Sequence, residues 1–166
     1  MIHVIVTGGT IDSEYDIQQD ILAPARHSYV MRYMKSLDMD QEIAFSCVCM
    51  KDARELQEQD LELLLECIEN SEHKKIVVCH GYQTLVDSMR FLESNLKRKD
   101  QTIVFVWSRV PLSFALSDAW FHLGYACGQI ESLNPWIYFC FKAQFFSLDV
   151  SKQLQQIWSL HSYFEQ

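Results

Sequence analysis

The run Ile2-His3-Val4-Ile5-Val6-Thr7-Gly8-Gly9-Thr10-Ile11-Asp12 constrains the fold more than any other stretch. It is an apolar segment of strand length that ends in two glycines and then a hydroxyl residue. A continuous apolar run suits a strand whose sheet is covered by helices on both faces. Glycines at its carboxyl end allow positive φ and let another segment come close. Open α/β sheets bind ligands at that edge, which puts Thr10 at the rim of a ligand crevice.

Similar apolar runs recur at 43–50, 75–81, 102–107 and 136–142. Between them lie helical stripes: Val30, Tyr33, Met34 and Leu37; Leu56, Leu63, Leu64, Cys67 and Ile68; Leu85, Val86, Met89, Leu92 and Leu96; Ala119, Leu123, Ala126, Cys127 and Ile130. A last helix is expected from Asp149, with Val150, Leu154, Ile157, His161 and Phe164 on one side. Asp52-Ala53-Arg54-Glu55 has the capping-box pattern, so the second helix is expected to start there and run to about Asn70. Residues 12–27 (Asp12, Ser13, Asp16, Asp20, Pro24) show no clear period and are expected to be a loop, folding over the site as a lid that carries Tyr15. Strand and helix thus alternate five times. The fold class this predicts is α/β: a flavodoxin-like, Rossmann-like doubly wound parallel sheet in three αβα layers, strand order 2-1-3-4-5. In that order the loops after the first and third strands, Thr7–Asp12 and His80–Thr84, face each other across one crevice.

With 166 residues the chain can build one sizeable core, and a single domain over 1–166 is expected. Its 49% hydrophobic content excludes a disordered chain, and its net charge of −8 makes nucleic acid and anionic membranes poor partners. The densest basic cluster, Lys97-Arg98-Lys99, reads as a solvated helix end. No leader or spanning segment is read, and the six cysteines fall mostly inside strands and helices, as in a cytoplasmic protein with reduced thiols. Cys47-Val48-Cys49 is not expected to hold zinc, and no metal or cofactor is expected.

Thr10 has two readings at this level. It ties down the glycine turn, or it is a nucleophile that an adjacent group must activate, because a free hydroxyl attacks poorly near neutral pH. Tyr15 and Tyr82 are the tyrosines available to assist. His80, at the end of a strand beside the crevice, is either a hydrogen-bonded structural residue or a base. Ser117-Asp118 is a helix cap or a polar pair turned to the crevice. The Gly8-Gly9 pair lacks the third glycine of a dinucleotide fingerprint.

Taken in order, these stretches resemble the N-terminal domain of the bacterial-type L-asparaginase family. Val4-Ile5-Val6-Thr7-Gly8-Gly9-Thr10-Ile11 matches that family's first signature. Ile76-Val77-Val78-Cys79-His80-Gly81-Tyr82-Gln83-Thr84 stands where it carries His-Gly-Thr-Asp-Thr. Val110-Pro111-Leu112-Ser113-Phe114 with Ser117-Asp118-Ala119 and Leu123-Gly124, and also Lys51-Asp52-Ala53-Arg54-Glu55, resemble its short, single-domain members. The resemblance implies hydrolysis of a small side-chain amide (asparagine or related) without metal or cofactor, and no C-terminal asparaginase domain. It assigns Thr10, Tyr15, Tyr82 and Lys152 to catalysis and Gly9, Asp52, Gly81, Gln83 and Ser108 to substrate binding. It also marks departures. Tyr82 replaces the family's threonine and Gln83 its aspartate, so the carboxylate that would hold a substrate ammonium is gone. Trp107-Ser108 replaces a Gly-Ala, and the indole is expected to fill pocket space.

Two functions follow. One is an amidohydrolase using Thr10, on a small amide or amino acid, including substrates without an α-ammonium. The other is a catalytically inactive module that keeps the fold for ligand binding or assembly. Aromatic residues such as Trp158, Tyr163 and Phe164 offer surface that a homodimer would bury.

Overall fold

In the computed structural model, which describes residues 1–39 and 42–150, the opening run forms β1, Ile2–Gly8. A 3₁₀ turn, Thr10–Asp12, leads to a hairpin of β2 (Ser13–Asp16) and β3 (Ile21–Pro24). Then come α1 (Tyr29–Ser36), β4 (Ile43–Lys51), α2 (Glu58–Glu69), β5 (Lys75–Cys79), α3 (Leu85–Asn95), β6 (Thr102–Val106), α4 (Ala119–Gln129), β7 (Ile137–Phe141) and β8 (Gln144–Phe146). The sheet order is β4-β1-β5-β6-β7-β8. Its first five strands run parallel, in the expected order.

The period of two along the strands divides the core. Val4, Val6, Val77, Cys79, Val104 and Val106 face Val30 and Met34 of α1 and Leu123, Ala126 and Cys127 of α4. Ile5, Ile76, Val78, Ile103 and Phe105 face Leu64 and Ile68 of α2 and Leu85, Met89 and Leu92 of α3. Each such buried aliphatic side chain contributes about 1.5–3 kcal/mol. No helix among the described residues is long and apolar enough to cross a membrane.

Local chemistry sets the helix starts. The buried Asp12 carboxylate accepts from Tyr29 N (2.5 Å) and Val30 N (3.2 Å), and Ser28 Oγ donates to it (2.5 Å) while accepting from Met31 N (3.0 Å). The amino end of α1 is thereby capped by the turn that carries Thr10.

Three expectations need correction. Residues 12–27 are not a featureless loop but the Thr10–Asp12 turn and the β2–β3 hairpin. Among the described residues its two strands pair only with each other, and they stay partly exposed, so the hairpin shows no core-facing alternation. Asp52 does not open α2. Its carboxylate caps the 3₁₀ turn Ala53–Glu55 by accepting from Arg54 N (2.9 Å), the chain re-extends at Leu56, and α2 starts at Glu58 with Gln57 N donating to Asp60 (2.9 Å). Finally, β8 adds an antiparallel strand at the sheet edge. Its turn uses Lys142 and Ala143 at positive φ (48° and 57°), where no glycine or asparagine announces a hairpin. The expected helix beyond Asp149, with Lys152, Trp158, Tyr163 and Phe164, falls on residues 151–166, outside the described residues.

Candidate active site

The carboxyl ends of β1, β4 and β5 meet on glycines. Gly8 (φ 90°) and Gly9 (φ 72°) turn the chain off β1, and Gly9 N donates to Lys51 O (2.8 Å). A Cβ on Gly9 would lie 2.4 Å from Gly81 N, and one on Gly81 would lie 2.3 Å from Ala53 Cβ. Three loop backbones therefore touch where only glycine leaves room. Side chains lock the seam: Thr7 Oγ1 donates to Cys79 O (3.0 Å), Ser13 Oγ to Gly9 O (2.9 Å) and Thr84 Oγ1 to Ala53 O (3.2 Å). The loop after β6 closes on the same turn through Leu112 N to Ile11 O (3.0 Å) and Ser113 Oγ to Ser13 O (2.8 Å).

Thr10 stands half-buried at the start of this turn. No hydrogen bond from the described residues engages its hydroxyl. Facing it, Tyr82 and Gln83 begin the 3₁₀ turn Tyr82–Thr84. Gln83 is exposed and folds back over the seam, its Oε1 3.4 Å from a Cβ built on Gly81. The first and third loops thus meet where Gly9 packs against Gly81, as the strand order predicts, with Thr10 on one loop and Tyr82 and Gln83 on the other.

Asp52 reaches the same rim from β4, already paired. Arg54 Nε (2.9 Å) and Nη2 (2.8 Å) both donate to its carboxylate. The Arg54 hydrogen bonds, working against partial burial, hold the Asp52 carboxyl below the usual carboxylate range. The guanidinium lies within electrostatic reach of Tyr82. Arg54 joins the candidates through this pairing, and the Asp-x-Arg spacing in a turn is the sequence signal for it.

Other candidates sit elsewhere. Tyr15 is 49% exposed on the hairpin and donates its hydroxyl to Asp20, a residue of the same hairpin. Ser108 is buried and donates to Val110 O (2.8 Å). Trp107 is 1% exposed, stacked on Phe141 (centroids 4.7 Å) and tilted against Tyr82 (5.4 Å). Its indole fills core volume and backs Tyr82 from below instead of lining an open pocket. Ser117 Oγ donates to Val110 O (2.7 Å) and Asp118 accepts from Arg109 N and Val110 N (both 3.0 Å), so this pair ties down the loop after β6. Lys152 lies outside the described residues. Among the described residues no three His, Cys, Asp or Glu side chains gather as a metal site. A groove of about 380 Å³ lies between Tyr33, Leu112, Phe114 and Trp120, and a depression of about 410 Å³ includes Tyr15; Thr10 lines neither.

His80 is fully buried and structural. Its Nδ1 pairs with Gly81 O (2.7 Å) and its Nε2 with Ser88 Oγ (3.0 Å), which holds the loop that carries Tyr82. Burial pushes its pKa down to about 4, against the pull of the Gly81 carbonyl. Between pH 6.5 and 4 the unfolded chain therefore binds a proton that the folded chain refuses, and stability falls as pH drops through that window. Between pH 7 and 4.5 the loss attributable to His80 is expected to be on the order of 2 kcal/mol. Burial raises the Asp12 pKa, which has the opposite sign at the acid end, but it acts equally in wild type and variant. Urea unfolding of wild type and His80→Asn at both pH values isolates the term. Equal pH dependence in the two proteins would contradict it.

A family model described as Asparaginase, N-terminal matches residues 1–135. No curated protein sequence matches the chain. Among solved structures, a probable cytoplasmic L-asparaginase from Campylobacter jejuni is similar with a TM-score of 0.73 and 19% identity over 88% of this chain and 47% of that one. The thermostable L-asparaginase from Thermococcus kodakarensis gives 0.70 and 22% over 87% and 45%, and L-asparaginase I from Vibrio cholerae gives 0.71 and 16% over 87% and 44%. The chain spans a little under half the length of these asparaginases.

Proposed function

This chain belongs to the asparaginase N-terminal domain family, and on that premise we propose that it is an amidohydrolase acting on a small side-chain amide, asparagine or a related one, with Thr10 as nucleophile. The observation that carries this is the Thr10 hydroxyl, which no described residue engages, on a turn held by Lys51, Gly81 and Leu112. A nucleophile needs a fixed backbone and a free oxygen. Thr10 Oγ1 adds to the amide carbon, the C–N bond breaks, and the hydroxyl proton leaves with the nitrogen as ammonia. Water then cleaves the ester to release the acid and restore the hydroxyl. His80 is excluded as base by its burial and its two fixed partners. Tyr82, across the rim and beside Arg54, is the residue that relays the proton. Tyr15 and Lys152 remain assigned to the site through the family resemblance, and Gly9, Asp52, Gly81, Gln83 and Ser108 to substrate binding, Ser108 by supporting the loop after β6.

The test is ammonia release by the purified chain from asparagine, glutamine and related linear amides. Release above the no-enzyme rate from at least one of them is expected; none from any would remove the hydrolase reading. A second reading, a catalytically inactive module for ligand binding or assembly, is favoured by Tyr15, whose hydroxyl is engaged by Asp20. Turnover that arises only in Tyr82→Thr with Gln83→Asp would support that reading. A cytoplasmic site of action is supported by six free cysteines and by the cytoplasmic neighbour. A homodimer is supported by exposed apolar side chains such as Leu116 (93%) and Phe121 (56%).

A further inference from the structure

The outer face of α1 gathers cations in an acidic chain. The net charge is −8, yet residues 21–37 hold no Asp or Glu and carry Arg26, His27, Arg32 and Lys35. All four are exposed. Ser28, Met31, Arg32 and Lys35 recur at i, i+3, i+4 and i+7, which puts them on one side of the helix. That side borders β4, and a depression of about 420 Å³ lies between the two. Its lining holds all four basic side chains and no carboxylate, and Met31 and Met50 supply its apolar part.

These cations have no counter-charge. None of the four forms an ion pair among the described residues. The Arg32 guanidinium lies over the Tyr29 ring (4.9 Å to the centroid) and the Lys35 ammonium over the Phe45 ring (5.4 Å), contacts that orient a cation without neutralising it. Two carboxylates come near, and both are committed. Asp12, within electrostatic reach of Cys47, is buried and accepts from Tyr29 N, Val30 N and Ser28 Oγ. Glu14 lines an adjoining depression and accepts from Tyr29 Oη (2.9 Å).

Like charges around one depression repel each other, and an anion seated among them relieves that repulsion. A carboxylate brings one charge. A phosphate monoester brings close to two, on three acceptor oxygens around one centre, which guanidinium forks bind in pairs. Met31 and Met50 offer a polarizable surface to an organic body, and the volume is that of a small-molecule site. We propose that the depression between α1 and β4 binds a small soluble phosphate monoester with an apolar body, its phosphate held by Arg26 and Arg32.

The test titrates the full chain by calorimetry, in phosphate-free buffer, with phenyl phosphate, inorganic phosphate and benzoate. Phenyl phosphate is expected to bind saturably, about threefold or more tighter than inorganic phosphate and about tenfold or more tighter than benzoate. The double variant Arg26→Gln, Arg32→Gln is expected to weaken phenyl phosphate by about tenfold or more. Lys97→Gln with Lys99→Gln removes the same charge from the basic cluster after α3 and is expected to change binding by less than about twofold. All four positions are exposed or partly exposed, so the thermal midpoints should match wild type. Benzoate bound as well as phenyl phosphate, equal weakening by the two double variants, or no saturable binding would overturn the site. Co-sedimentation with phosphatidylcholine vesicles containing phosphatidic acid, without binding of the soluble phosphates, would place the phosphate on a lipid headgroup and overturn the soluble-ligand assignment.

Discussion

Gly9→Ala is expected to destabilise the chain by about 3 kcal/mol or more and to lower its thermal midpoint by about 10 °C. Two independent costs add. Gly9 holds φ 72° and ψ −177°, a region open essentially to glycine alone. Its new Cβ would also lie 2.4 Å from Gly81 N and 2.6 Å from Gly81 Cα, which are backbone atoms of an adjacent strand end. Neither side can yield without opening the β1–β5 seam. Gly124→Ala supplies the contrast. It sits inside α4 with nothing within 4 Å of a built Cβ, so the change is expected to be neutral or stabilising by about 0.5–1 kcal/mol. Thermal unfolding of both variants measures the difference. A Gly9→Ala midpoint within about 3 °C of wild type would mean that the loops do not touch as described.

Thr10→Ala is expected to lower kcat for ammonia release by about a thousandfold or more, because removing the nucleophile from a coupled site leaves only binding and positioning. Stability should move by less than about 1 kcal/mol, since the half-buried side chain holds no hydrogen bond to the described residues. Thr10→Ser keeps a hydroxyl on the same carbon and is expected to retain measurable turnover. The split separates a nucleophile from a turn-stabilising residue. A purely structural Thr10 would cost stability in both variants and activity only in proportion.

Much of the fold was legible because its signals are local. β1, β5 and β6 are continuous apolar runs, and α3 and α4 carry clean stripes, so period and alternation sufficed. β8 was not legible, since three residues after a turn with Lys142 and Ala143 at positive φ carry no turn chemistry. The Asp52 pattern misled because an aspartate accepting a backbone N–H looks alike before a 3₁₀ turn and before an α-helix. Only the extended backbone at Leu56 and Gln57 separates the two. The two opposed loops were predictable from strand order. The contact of Gly9, Gly81 and Ala53 was not, because it joins residues far apart in sequence. Trp107 shows the same limit. A substitution for glycine suggests a filled pocket, but where the ring goes is decided by Phe141 and Tyr82. Arg54 escaped notice because its role comes from what surrounds it.

The central claim is that Thr10 forms the covalent intermediate, and trapping that ester tests it most directly. Rapid acid quench of the chain with an amide it turns over, followed by peptide mass analysis, is expected to show the acyl mass on the peptide containing Thr10. The adduct should be absent in Thr10→Ala. An adduct on another residue, or ammonia release in Thr10→Ala at the wild-type rate, would contradict it.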